Sequence, residues 1–197
     1  MKDRRVQKTE TRLRSALTSL IRERGAYDSI VVKEILARAN VGRSTFYTHF
    51  RDKDELLASS IHEILSPARS EPLPALAQSY ERILCFGLSM FEHLQQHRRQ
   101  HACGGGVRMD SRSRDILHEH LQSVLVELIR KDVEQCLHTR RKTSGSVPAS
   151  VLIQYVASAF ILVLNWWVDT DSSLTPREVN DLFRALILPT LITTLEC

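Results

Sequence analysis

Between positions 42 and 53 the chain concentrates groups that suit contact with a polyanion. Gly42, Arg43, Ser44, Thr45, Tyr47, Thr48, His49 and Lys53 supply a guanidinium, hydroxyls, a phenol, an imidazole and an ammonium within about three helical turns. Phe46 and Phe50 lie four apart among them and share one helix face. A helix over residues 43–50 is therefore apolar on one side and carries hydrogen-bond donors on the others. Arg43 suits the two acceptors of a guanine edge, and the hydroxyls, the imidazole and Lys53 suit phosphate oxygens. Nothing in this set forms a nucleophile–base–orienter arrangement, so the chain is read as a non-enzyme, with a helical enzyme as the remote alternative.

Charge is distributed to match. The 197 residues carry a net +4, yet residues 1–53 hold 13 Lys/Arg against 6 Asp/Glu, and residues 54–197 hold 14 against 17. A basic quarter on a mildly acidic body is expected where one end meets nucleic acid. The composition, 43% hydrophobic and 25% charged, is that of an ordinary globule. Cys85, Cys103, Cys136 and Cys197 form no C-x-x-C pair, which is read as free thiols in a reducing cytoplasm. The charged N-terminus has no apolar signal region.

The donor-bearing helix needs elements that hold it. The stripe Val6, Leu13, Leu17, Leu20 and Ile21 predicts a first helix over 6–24, with Gly25 as its left-handed cap. Ile35, Leu36 and Ala39 predict a second over 32–39, and Asn40-Val41-Gly42 forms the turn before the third. Two short helices joined by such a turn match a helix-turn-helix, and Lys33 near the start of the second is a further contact. Asp52 and Glu55 form a capping box for a fourth helix reaching about residue 65.

The run from Ile30-Val31-Val32-Lys33-Glu34-Ile35 through Ala39-Asn40-Val41-Gly42-Arg43-Ser44-Thr45-Phe46-Tyr47-Thr48-His49-Phe50 to Lys53-Asp54-Glu55-Leu56-Leu57 resembles the DNA-binding domain of the TetR family of transcriptional regulators. It departs from that pattern at Val31, where Thr or Ser is usual, and at Asn40, where Gly is usual. The resemblance implies phosphate contacts from Tyr47, His49 and Lys53. It also implies an all-α fold: a helix-turn-helix domain over 1–53 and a helical ligand-binding and dimerisation domain over 54–197, about nine helices in all. The partners implied are double-stranded operator DNA, a second copy of the chain and a small-molecule effector, with repression as the expected outcome and no cofactor.

Downstream, apolar spacing predicts a helix over 74–98, a flexible break over 101–110, a short helix over 111–118 running into another to 137, and a basic loop over 139–147. The stretch from Thr143 to Val168 has no charged residue. Its length would suit a membrane span, but Gln154, Ser158 and Asn165 interrupt it, and it is read as a helix buried on most sides against a partner chain, with no membrane role. Thr175-Pro176-Arg177-Glu178 starts a final helix in which Pro189 should make a kink.

Candidate pocket residues are Phe86, Met90, His93, Tyr155, Phe160 and Trp166. Candidate dimer residues are Val156, Val163, Trp167, Phe183 and Ile187. His93, His97 and His101 recur at intervals of four, with Cys103 nearby, and raise a metal- or redox-sensing alternative. A closed metal site needs more ligands than such a pair supplies, so no metal is expected.

Overall fold

The computed structural model describes residues 4–66, 78–104, 109–138 and 147–196. The described residues form nine α-helices and no strand: α1 (Arg4–Arg24), α2 (Val32–Ala39), α3 (Arg43–His49), α4 (Lys53–Leu65), α5 (Gln78–Leu84), α6 (Phe86–Gly104), α7 (Ser111–His138), α8 (Ala149–Asp169) and α9 (Pro176–Glu196). The all-α fold with an N-terminal helix-turn-helix is the one expected. Contacts divide the chain into two compact units. One is Met1–Glu63 with Arg98–Leu121, and the other is Ile64–His97 with Gln122–Cys197.

In the first unit α1 buries Leu13, Ala16, Leu17, Leu20 and Ile21 and packs on α2, which packs on α3. Gly25 ends α1 at φ 63° and donates its N–H to Ile21 O at 2.8 Å. A side chain is strained at that φ, so glycine is the natural residue there. Asp52 starts α4 by accepting the Glu55 N–H at 2.8 Å, and the Glu55 carboxylate accepts the Arg51 N–H at 2.7 Å. The first satisfies an orphan donor of the helix start, and the second ties the residue before the cap to the first turn of α4.

In the second unit five aromatic rings make the core. Phe160 meets Phe86, Phe91 and Phe183 with centroids 5.0, 5.1 and 5.2 Å apart, and Phe91 meets Trp167 edge-on at 5.6 Å. The Trp167 indole donates to Leu174 O at 3.0 Å, so its one polar atom is satisfied. Gly87 lets α6 approach α9, because a Cβ there would stand 2.6 Å from Asn180 Oδ1. The capping box at Thr175 is formed: Glu178 Oε2 accepts from the Thr175 N–H at 2.7 Å, and Thr175 Oγ1 accepts from the Glu178 N–H at 3.4 Å.

Three boundaries differ from expectation. The helix expected over 74–98 is two, α5 and α6, separated at Cys85. Residues 74–77 lie outside the described residues. The break expected from 101 begins later, since α6 continues through Gly104, and 105–108 lie outside the described residues. The two helices expected from 111 to 137 are one, α7, since nothing between Arg112 and Leu137 breaks a helix. α9 runs through Pro189 to Glu196, and residues 139–146 of the basic loop lie outside the described residues.

Candidate nucleic-acid interface

α2 and α3 meet at a turn whose geometry is local. Asn40 is left-handed, at φ 51° and ψ 53°, and the Val41 N–H bonds to Leu36 O at 3.1 Å. Asn tolerates that conformation better than other non-glycine residues, so the departure from Gly keeps the turn. Val31 has no side-chain acceptor for the start of α2; the Glu34 carboxylate instead accepts the Val31 N–H at 3.1 Å, half of a capping box. Glu34 is also held by both terminal nitrogens of Arg24, and this holds its carboxyl below the usual range.

α3 is anchored by Phe46, which is fully buried, and followed by the buried Phe50, with ring centroids 5.9 Å apart. That fixes which faces look outward. Arg43, Ser44, Thr45 and Tyr47 are exposed, as is Gly42 before them. The Arg43 guanidinium lies 5.7 Å from the centre of the Tyr47 ring. Gly42 has an ordinary φ of −68°, and a Cβ there would meet nothing closer than Thr45 Oγ1 at 3.8 Å. Neither the backbone nor a neighbour in this chain requires glycine at that position. Lys33 is exposed in the first turn of α2.

The other three expected contacts spend their polar groups within the chain, although Thr48 itself is exposed. The Thr48 hydroxyl donates to the carbonyls of Ser44 and Thr45 at 2.9 and 3.0 Å, so its proton is committed to α3 itself. His49 Nδ1 lies 3.6 Å from Glu10 of α1, and both side chains are mostly buried. Lys53 directs its ammonium to the carbonyls of Tyr27, Asp28 and Ile30 at 3.1, 3.3 and 3.1 Å. Its charge also stands 4.4 Å from the Tyr27 ring centre. A lysine has three N–H donors, and here each has an acceptor inside the chain.

Sequence reasoning missed the residues gathered on the α1–α2 connector. The Tyr27 N–H donates to Ser113 Oγ at 2.7 Å, and the Tyr27 hydroxyl donates to Asp54 Oδ1 at 2.5 Å. Burial, the bond to Asp54 and the charge of Asp54 all push the Tyr27 phenol far above its ordinary pKa. The Asp110 N–H donates to Gly25 O at 2.9 Å, and Arg112 pairs with Asp28.

The expected pocket residues lie in different surroundings. Phe86, Met90 and Phe160 are buried in the aromatic core, where they fill space. Tyr155 and Trp166 are exposed on α8, and Tyr155 lines an open surface groove of about 460 Å³ with Ser150, Val151, Gln154 and Ser158. His93 stands edge-on to His97 at 4.4 Å; burial, and secondly the charge of His97, push its imidazole down to about 4. Among the described residues no group of three or more His, Cys, Asp or Glu could hold a metal ion.

The expected dimer residues lie inside this chain. Val156, Val163, Trp167, Phe183 and Ile187 are buried within the chain's own core. Among the described residues the large exposed apolar positions of these helices are Val151, Tyr155, Leu162, Trp166 and Val168 on α8, with Leu186 and Ile192 on α9. Gln154 and Ser158 lie exposed on the same face, eight and four residues before Leu162, so the few polar residues of α8 mark its outer side. α8 is long and apolar enough to cross a membrane by length and composition, and its inner stripe is packed against the rest of its unit.

Comparison with known proteins bears on both units. Residues 13–59 match the family model described as bacterial regulatory proteins, tetR family, and residues 84–188 match that of a transcriptional regulator C-terminal region. An HTH-type transcriptional regulator of Bacillus subtilis, YxbF, is 37% identical over 59 residues, which are 30% of this chain and 16% of that protein's length. Among solved structures, a TetR transcriptional regulator from Streptococcus agalactiae is 24% identical, with 94% of this chain and 97% of that one covered and a TM-score of 0.48. The dihydroxyacetone kinase operon activator DhaS is 16% identical, with 95% and 96% covered and a TM-score of 0.49. RolR, solved in complex with resorcinol, is 20% identical, with 94% and 88% covered and a TM-score of 0.47.

Proposed function

The chain belongs to the TetR family of transcriptional regulators, and from that premise we propose that it is a ligand-responsive repressor that binds a pseudo-palindromic operator as a cytoplasmic homodimer. The observation that carries the DNA-binding reading is α3 itself. Phe46 is sunk in the core while Arg43, Ser44, Thr45 and Tyr47 face solvent beside a glycine that the chain does not itself need. In this reading α3 enters the major groove. Arg43 takes base acceptors, Ser44 and Thr45 take base edges or phosphates, and Tyr47 takes a phosphate. The absent side chain at Gly42 lets the backbone come close to the duplex, and Lys33 adds a phosphate contact. Thr48 and His49 then act by holding α3 in place, through its own carbonyls and through Glu10.

Dimerisation is proposed through the outer faces of α8 and α9, which pack on each other and expose Leu162, Trp166, Leu186 and Ile192. An isologous interface about a two-fold axis would use this one patch from both copies. The head is proposed to end at 53 and the ligand-binding and dimerisation body to cover 54–197. An effector bound in the body lowers operator affinity by favouring a second spacing of the two heads.

Selection of binding sites from random-sequence duplex DNA tests the proposal. The expected result is enrichment of an inverted repeat with half-sites about one helical turn apart. Enrichment of no sequence, or of a single unpaired half-site, contradicts it.

A further inference from the structure

We propose that Lys53 is a positioning residue for DNA binding, clasping the α1–α2 connector, and that its ammonium does not contact phosphate. This rests on the operator-binding reading above. The three carbonyls it meets, those of Tyr27, Asp28 and Ile30, lie along the connector from the third residue after α1 to the residue before the N-cap of α2. Three N–H groups on three carbonyls leave the ammonium no donor to offer outside. The fully buried Tyr27 ring lies against the charge on a further side.

The same connector is gripped elsewhere. Ser113 Oγ accepts the Tyr27 N–H, Asp110 donates to Gly25 O, and Asp54 accepts the Tyr27 hydroxyl. Ser113 is itself fully buried. The connector therefore joins the starts of α4 and α7 by hydrogen bonds to its backbone and to Tyr27. Because α2 begins at Val32, immediately after it, the placement of the connector sets the placement of α2, the Asn40 turn and α3. Ser113 belongs to the same device, acting on the reading helix through Tyr27.

Lys→Arg substitution separates the two roles. An arginine keeps the charge and would serve a phosphate, but its planar fork cannot place donors on three converging carbonyls as an ammonium does. The probe is the duplex enriched by the wild-type protein from random DNA, with affinity measured across about 50 to 200 mM salt. Lys53→Met should bind roughly tenfold more weakly, with the slope of log affinity against log salt unchanged. Lys53→Arg should fail to restore affinity. Ser113→Ala should weaken binding with the same unchanged slope. Wild-type affinity in Lys53→Arg, or a slope shallower by about 0.9 in Lys53→Met, overturns the proposal in favour of a phosphate contact. Hydrogen exchange of the amides at 27–32 gives a readout independent of DNA. Faster exchange in Lys53→Arg is expected, and unchanged exchange overturns the clasp. Failure of the wild-type protein to bind any duplex strikes the operator-binding reading and leaves the exchange result to decide the clasp.

Discussion

The ring of Phe46 meets the ring of Tyr47 edge-on, with centroids 5.2 Å apart and planes at 89°. One ring is fully buried and the other nearly half exposed. The contact couples the anchor of α3 to the side chain it presents, so Tyr47 stands outward on a fixed base. Its own substitution then bears on binding more than on folding. Tyr47→Ala should weaken operator binding by roughly tenfold or more, with an unchanged helical circular dichroism signal. Retention of wild-type affinity would remove Tyr47 from the interface.

Phe46→Ala should do the opposite. Removing a fully buried phenylalanine costs about 3–5 kcal/mol, which denaturant titration reads as a lower midpoint for the first unit. A change below about 1 kcal/mol would mean that α3 is not held by this ring.

Much of the reading head was legible because its signals are local. The turn at Asn40, the cap at Asp52 with Glu55, and the pair Phe46 and Phe50 each act within five residues, and α2 ends and α4 begins where those signals put them. The setting of Lys53 was not legible. Its acceptors lie 23 to 26 residues upstream, and Ser113 bonds to Tyr27 across 86. The break at Cys85 carries no glycine or proline itself, and Gly87, two residues on, lies inside α6. On α8 the apolar period was plain, and the phase was carried only by Gln154 and Ser158, which share a face with the exposed Leu162 and not with the buried Val163.

Leu162 is the most exposed of the large apolar residues on α8, at 67%. Leu162→Arg should shift sedimentation from dimer to monomer at micromolar protein while leaving the thermal transition of the monomer in place. An unchanged sedimentation coefficient would place the interface elsewhere.

His93 makes stability depend on acid. Burial lowers its pKa from 6.5 to about 4, with His97 adding to the effect, so the folded state favours the neutral ring. The contribution is full above the unfolded pKa near 6.5 and is lost as pH falls toward 4. Lowered carboxyl pKa values at Glu34, Glu55 and Glu178 also weaken the fold in acid, so the test is a difference. Between neutral pH and about pH 4.5, His93→Leu should lose less melting temperature than the wild type. Parallel losses would show that His93 is hydrated in the folded state.

The central claim is that α3 reads bases through its exposed front turn, and Arg43→Ala tests it most directly. Affinities of the wild type and the variant are measured on the selected operator and on its single-base variants. The expected result is a loss of about 1–3 kcal/mol of discrimination, confined to one position in each half-site and symmetric between the halves. Unchanged base preference at every position in Arg43→Ala would contradict the account.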